Sequence, residues 1–368
     1  MTLQRDSVAE ITATDATGAP RTGPSIWCVS DGRAGIMNQT LALAAALAEP
    51  ERARLLSHIQ SEPDAYVDGP VILQPKGWRV LLPPDKWPDP ELSLPREQAE
   101  ALSPPWPDLW IAAGRRSIPF SRLMGEISEG KTMVVQTQDP RIDTEPFDLI
   151  IPPEHDQLQG PNVLPILGSP VWFSKQRIDD AQRRFSGLLK RDGQKVLVSL
   201  GGDSKTHRMT EMDAELIETA MRTHAKGRKY WISVSRRTPD HARERFRKLA
   251  KELKSVFWES EERDGPNPYV AFLSMCDVAL VTEDSANMLS DPAFFGKPIH
   301  ILPLTGDSPR FDRLHKGFIK RGAARWFDGT LESWAYPPIR EAARAADGVV
   351  RLMLQKHPPP GSAPVADV

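Results

Sequence analysis

The stretch WCVSDGRAGIMNQTLALAAAL, Trp27 to Leu47, begins as a short apolar run, breaks into Asp31-Gly32-Arg33-Ala34-Gly35, and resumes as an Ala/Leu-rich helix. A strand handing over to a helix through a polar, glycine-bearing turn is the repeating unit of parallel sheets covered by helices. The alternation continues outward from it. The first half supplies IWCVS (26–30), LWIAA (109–113), TMVVQ (132–136) and FDLIIP (147–152). A second series starts afresh with KVLVSL (195–200) and runs through KYWISVS (229–235), SVFWES (255–260), DVALVT (277–282) and PIHILPL (298–304). At 368 residues the chain exceeds what one core usually serves, and two series predict two α/β domains.

The Pro- and Gly-rich stretch 160–173, followed by a polar helix-like run over 175–190, reads as the link between them. The expected organisation is a disordered tail over 1–24, an N-terminal domain over 25–172, a C-terminal domain over 173–338, a helix over 339–357 and a second disordered tail over 358–368. The proline-dense segment 63–107, with Trp78, Trp87 and Trp106, reads as irregular connections around one or two short elements. Those tryptophans either pack or help the domain meet a bilayer.

Charge is nearly balanced, 47 basic against 49 acidic residues, so the broad basic footprint of a nucleic-acid binder is missing and any anion site is local. Two cysteines, Cys28 and Cys276, lie beside or within apolar runs in different halves, which favours core thiols in a reducing, cytoplasmic setting. Residues 1–24 are polar and include Asp6, Glu10 and Asp15, unlike a secretory signal or an acid-poor transit peptide. No apolar window approaches the roughly 18 residues that cross a bilayer. Membrane association is expected to be peripheral at most.

In open parallel sheets, ligands gather beyond the carboxyl ends of strands, where helix N-termini offer free N–H groups. At the first such junction Asp31 and Arg33 would project toward a ligand, with Gly35, Asn38 and Gln39 in the turns that follow. The plainer alternative is a turn in which Asp31 caps the helix and Arg33 lies in solvent. AAGRRSIPF (112–120) repeats the design with Arg115, Arg116 and Ser117, two guanidinium forks suited to phosphate or carboxylate, unless one of them pairs with a surface acid. His155, between Glu154 and Asp156, is a proton-transfer group, a metal ligand or a satisfied loop residue. No HxH or HExxH spacing points to a metal.

In SLGGDSKTHRMT (199–210), Gly201 and Gly202 leave a strand, Ser204 and Thr206 are placed to cap a helix, and Lys205, His207 and Arg208 supply charge around its start. GxxxxGK[ST] is absent, which disfavours a P-loop and leaves a Gly-rich anion cradle or a solvated basic helix end. In VTEDSANMLSDPAFFGKPIHILPL (281–304), Ser285 and Asn287 can donate from a helix start, Ser290 and Asp291 lie about a turn further in, and Asp284 can serve as N-cap.

SDGRAGxxNQ, AAGRRS, QTQDPR, FDLIIPPEHD, GPNV, GGDSKTHR, SRRTP, NPY and TEDSANMLSDPAFFGKP together resemble the family named for plant mitochondrial-fission proteins, whose bacterial members are grouped with glycosyltransferases. The motifs run in unbroken order from Trp27 to Arg325. The resemblance implies a GT-B-like architecture of two Rossmann-like domains with parallel sheets facing across a cleft, acceptor on the first and nucleotide-sugar donor mainly on the second. It implies that Gly201, Gly202 and Ser204 form the donor-phosphate loop, that Arg236 and Arg237 face the nucleotide, and that Asp284, Ser285, Asn287, Ser290 and Asp291 belong to the helix start that holds it. At the last of these the family usually shows a Glu-Ala pair, where this chain has Asp291-Pro292.

Asp31 would then be the general base of a sugar transfer and Arg33 its orienting neighbour, with Lys205 and Arg208 stabilising the departing diphosphate in place of a metal. Gly35, Asn38, Gln39, Arg115, Arg116, Ser117 and His155 would serve the acceptor, a cell-envelope glycan or glycolipid. The nucleotide sugar is a substrate, and no cofactor is expected. Two alternatives stand beside this reading: an epimerase of the nucleotide sugar, which turns over donor without acceptor, and a non-catalytic adaptor in membrane division, which binds no nucleotide.

Overall fold

The structure, a computed structural model, describes residues 22–67, 69–188 and 192–361. The tails expected over 1–24 and 358–368 lie outside it except for 22–24 and 358–361, and the end of the helix-like run to 190 lies outside as well. Gly23 is pinned, since it bridges Gln60 and its carbonyl accepts from Tyr66 Oη at 2.5 Å. The chain divides into two compact units: one holds the residues up to Ile166, Pro170–Trp172 and everything from Glu341, and the other holds Leu167–Ser169 and Phe173–Arg340.

In the first unit β1 (Ile26–Ser30), β2 (Val71–Ile72), β3 (Leu109–Ala112), β4 (Met133–Gln136) and β5 (Leu149–Ile150) form a fully parallel sheet ordered β2-β1-β3-β4-β5. Its strands are buried on both faces, and alternate residues feed two cores. Cys28, Leu109, Ile111, Met133, Val135 and Leu149 pack under one face with Met37, Leu41 and Leu47 of the helix Ala34–Leu47. Trp27, Val29, Trp110, Val134 and Ile150 pack under the other with Phe120 and Met124 of the helix Ile118–Ile127.

The first of those cores is completed by the chain's last helix, Glu341–Lys356, which contributes Ala342, Ala345, Ala346, Val349, Val350 and Met353. Its small residues let it lie close: a Cβ on Gly348 would fall 2.8 Å from Leu164 Cδ2.

In the second unit β6 (Gln194–Leu200), β8 (Arg228–Val234), β9 (Val256–Trp258), β10 (Val278–Thr282), β11 (Ile299–Leu302) and β13 (Ala324–Trp326) form a second parallel sheet, ordered β13-β11-β10-β6-β8-β9. A separate antiparallel pair joins β7 (His207–Arg208) to β12 (Thr305–Gly306). Val196, Val198, Tyr230, Ile232, Val278 and Leu280 feed one core, and on the opposite face Trp231 stacks on Phe272 at 5.4 Å. Cys28 and Cys276 are free and buried, and burial pushes both thiols up to about 12.

Three parts of the sequence reading are corrected. The segment 63–107 holds more than one or two elements: the edge strand β2, four 3-10 turns and the short helix Arg96–Glu100. The pair β7/β12 and the strand β13 were not expected, because His207-Arg208, Thr305-Gly306 and Ala324-Arg325-Trp326 offer no apolar run to read. The helix after the Gly-rich turn begins at Glu211, several residues later than the capping role given to Ser204 and Thr206 requires.

Candidate functional site

The predicted junctions of the first unit share one edge, because β1, β3 and β4 are neighbours and each turn leaves a carboxyl end. Asp31 follows β1 directly and is buried, 8% exposed. Its Oδ2 receives Arg33 Nε and Nη2, both at 2.8 Å, and its Oδ1 accepts the Arg33 backbone N–H at 3.2 Å. Arg33 itself is the N-cap residue of the helix Ala34–Leu47 and supplies no side-chain cap, so Asp31 orients an arginine and does not cap the helix. Gly114, which follows β3, has φ +90°, and a Cβ there would press on Ile36 Cγ2 at 3.0 Å. Gln39 Oε1 accepts from Gln138 Nε2 at 3.1 Å, tying the β1 and β4 turns together, and Gly35 and Asn38 lie in the same first helical turns.

Arg115 and Arg116 are exposed, and Arg115 Nη2 reaches the Leu82 carbonyl at 3.4 Å. Ser117 lies back from them. It is buried, donates to the Gly114 carbonyl at 2.8 Å and accepts from Gln136 Nε2 at 3.4 Å. His155 is likewise withdrawn from the surface, 6% exposed in the 3-10 turn Glu154–Asp156, with Nε2 3.9 Å from Asp156 Oδ1.

In the second unit β10, β6 and β8 are neighbours, and their carboxyl ends bring the Gly201, Arg236-Arg237 and Asp284 turns to one edge. What fills the Gly-rich turn is the chain's own carboxylate. Asp284 has a fully buried side chain whose Oδ2 meets Arg237 Nη1 at 2.5 Å and the Gly202 N–H at 3.2 Å, while Oδ1 accepts from Thr282 Oγ1 at 2.7 Å. The Gly201 N–H donates in turn to Thr282 Oγ1 at 2.7 Å. Both glycines are obligatory: a Cβ on Gly201 would fall 2.0 Å from Asp284 Oδ1, and Gly202, at φ +152°, would clash with the Arg237 carbonyl at 2.2 Å. In this structure the Gly202 N–H and Arg237 are therefore engaged by Asp284.

Ser204 forms a local turn, accepting the N–H groups of Thr206 and His207 at 3.2 and 3.0 Å. Lys205 and Arg208 are exposed, and Arg208 Nη1 lies 3.5 Å from Asp203 Oδ2. The helix Glu211–Thr223 starts with Thr210 and Asp213 in a reciprocal capping box and acids in its first turn, so the cations expected at its N-terminus do not oppose its dipole.

Ser285, not Asp284, caps the helix Ala286–Phe294, accepting the Met288 N–H at 3.4 Å, and Asn287 lies in that helix's first turn. Ser290 and Asp291 face inward and are buried. Ser290 Oγ donates to the Ala286 carbonyl at 2.8 Å and accepts the Ser169 N–H at 3.0 Å. Asp291 accepts from Tyr269 Oη at 3.0 Å, and burial pushes its carboxyl up to about 7.

A cluster invisible in sequence lies beside Asp284. Glu283 accepts the Leu304 N–H at 2.7 Å, with His207 Nε2 at 3.8 Å and His315 Nδ1 at 4.0 Å from its Oε2. Burial raises the Glu283 carboxyl and lowers His315. The three residues stand 32 or more positions apart, in β7, the β10 turn and the helix Pro309–Lys320, and no short motif spans them.

Two Rossmann-like units with parallel sheets and polar strand-end turns define an α/β chain of the GT-B-like class. The chain belongs to the family described as mitochondrial fission ELM1, whose family model matches residues 34–353. It is 27% identical over 282 residues to the mitochondrial fission protein ELM1 of Arabidopsis thaliana, a match covering 68% of this chain and 65% of the plant protein's length. Among solved structures it is similar to a UDP-GlcNAc 2-epimerase from Methanocaldococcus jannaschii, with TM-score 0.48, 11% identity and coverage of 89% and 99% of the two chains. It is also similar to Arabidopsis thaliana UGT89C1 complexed with UDP, with TM-score 0.47, 13% identity and coverage of 92% and 91%. Among the described residues no helix is long and apolar enough to cross a membrane.

Proposed function

We propose that the chain is a glycosyltransferase that moves a sugar from a nucleotide-sugar donor to a glycan or glycolipid acceptor of the cell envelope. The observation that supports this most directly is the edge of the second unit, where exposed Lys205, Arg208 and Arg236 and half-buried Arg237 flank the Gly-rich turn. Cations gathered at strand ends, beside the start of the helix Ala286–Phe294, suit a diphosphate. In the reaction, Asp31 takes the proton of the acceptor hydroxyl while its oxygen bonds to the anomeric carbon. The nucleoside diphosphate leaves with the electron pair of the old C–O bond, and Lys205 and Arg208 stabilise its charge. Arg33 orients Asp31, and the exposed Arg115 and Arg116 hold an anionic part of the acceptor. The reaction so written needs no cofactor, and it belongs on the cytoplasmic side of a membrane that presents the acceptor.

Calorimetric titration with UDP, ADP and GDP tests the reading. Binding of one of them, weakened at least about ten-fold by Lys205→Ala with Arg208→Ala while nucleoside binding holds, supports it. One observation favours the adaptor instead: Asp284 already occupies the donors that a phosphate would use. Absence of binding to every nucleotide would establish that second reading.

A further inference from the structure

Two 3-10 turns, Trp78–Leu81 and Pro90–Ser93, are tied together at the surface of the first unit. The Lys76 N–H donates to the Ser93 carbonyl at 2.8 Å, and Arg79 Nε donates to the Pro88 carbonyl at 2.8 Å. In a 3-10 turn, residues i and i+3 eclipse, so Trp78 and Leu81 project on the same side. They are 58% and 81% exposed, and Leu92 of the other turn is 67% exposed. The neighbouring tryptophans behave differently: Trp87 and Trp106 are partly buried against the core and donate to the Leu82 and Leu102 carbonyls. The segment thus packs two of its three tryptophans and holds the third outward, on a turn fixed by hydrogen bonds, where solvation of so much apolar area is unfavourable.

Charge surrounds this apolar tip. Arg79 lies over the Trp78 ring at 5.0 Å, Arg115 reaches the Leu82 carbonyl, and Arg122 Nη1 donates to the Asp85 carbonyl at 3.0 Å. The segment 76–100 itself carries Lys76, Arg79, Lys86 and Arg96 against Asp85, Asp89, Glu91, Glu97 and Glu100, so the positive charge at the tip is that of Arg79 with Arg115 and Arg122 brought in from beyond the segment. A tryptophan and two leucines at a tip met by three guanidinium groups match a bilayer interface, which accepts an amphipathic ring at headgroup depth and attracts basic groups to anionic lipid. From this juxtaposition we propose that the Trp78–Leu81 and Pro90–Ser93 turns dock the chain on an anionic lipid surface.

The surface shares Arg115 with the sugar-transfer reading, and it is tested without turnover, by co-sedimentation of the full chain with vesicles. Vesicles of phosphatidylcholine with roughly one-third phosphatidylglycerol should bind the protein, and pure phosphatidylcholine should bind it far more weakly. Raising salt should release it. Trp78→Ala with Leu81→Glu should cut partition roughly ten-fold or more, with melting temperature unchanged because both side chains are exposed. Met212→Glu with Leu216→Glu, which removes an exposed apolar pair on the helix Glu211–Thr223, should leave partition unchanged. The proposal is overturned by equal binding to both vesicles, by loss of binding in the Met212/Leu216 variant alone, or by Trp78/Leu81 replacement leaving vesicle binding intact. It is equally overturned if sedimentation equilibrium finds a dimer that the Trp78/Leu81 variant dissociates, since the surface would then meet a second copy.

Discussion

Replacing Asp31 by asparagine removes a proton acceptor while leaving an oxygen that still takes the Arg33 N–H. If Asp31 is the base, turnover should fall about 10²–10⁴-fold with little change in melting temperature or nucleotide affinity. Wild-type turnover in that variant would sink the assignment. At Asp284 the expectation divides by chemistry. Alanine leaves the Gly202 N–H, Thr282 Oγ1 and Arg237 without their acceptor and should cost about 1–3 kcal/mol in denaturant melts. Asparagine keeps an acceptor but frees Arg237, so pyrophosphate affinity should rise, and an unchanged affinity would mean that Arg237 takes no part in anion binding. Asp291 offers a pH test. Its folded carboxyl titrates near 7 against an ordinary 3.8, so between those values the folded state holds a proton that the unfolded chain has lost. Its contribution to stability therefore falls as pH rises through that window. The melting temperature of Asp291→Asn should gain on wild type from pH 4 to pH 8, and a difference independent of pH would refute the titration. Asp31, Lys205 and Arg208 were legible because an acid or cation at a strand end is a local pattern. The partners of Asp284 and Glu283 were not, since Arg237, His207 and His315 reach them only through the sheet order.

The start of the helix Glu211–Thr223 separates cap from charge. Thr210→Ala should cost about 1 kcal/mol, the usual worth of a hydroxyl cap, whereas Lys205→Ala with Arg208→Ala should leave thermal stability within a few tenths. Equal losses in both would mean that the cations do belong to the helix start. The sequence reading set that start too early because Ser204 and Thr206 resemble caps as well as Thr210 does. What distinguishes Thr210 is the acid three residues on, Asp213, and the pairing of His207 and Arg208 with Thr305 and Gly306. Such a pairing joins residues about a hundred positions apart, beyond what local periodicity can report. The long strands of both sheets were readable for the opposite reason: runs such as Val196–Leu200 and Val278–Thr282 are buried on both faces, so their apolar character is continuous.

At the scale of the whole chain, the two units should melt separately enough to be told apart by site. Met353→Ala removes a fully buried side chain from the core under β1 and β3 and should cost the first unit about 2–5 kcal/mol. Hydrogen exchange should then quicken in β1, β3 and the helix Ala34–Leu47 while β6 and β8 keep their protection. Quickening spread evenly over both sheets would show that the units do not fold independently.

The helix that closes the first core is, among the described helices, the last in chain order. A ribosome that has finished Trp172 has still to add 168 residues before Glu341 appears (341 − 172 − 1). At about 5–20 residues per second this takes roughly ten to thirty seconds. Throughout that interval the nascent first unit lacks Ala342, Ala345, Ala346, Val349, Val350 and Met353, and its core has an open apolar side. Its companion, made of Leu167–Ser169 and Phe173–Arg340, has all these residues by then and can finish folding first although most of it is synthesised second. Trigger-factor-like holdases that cover apolar strips therefore have a defined client window in this chain, and moving the closing helix to the front by circular permutation would abolish it.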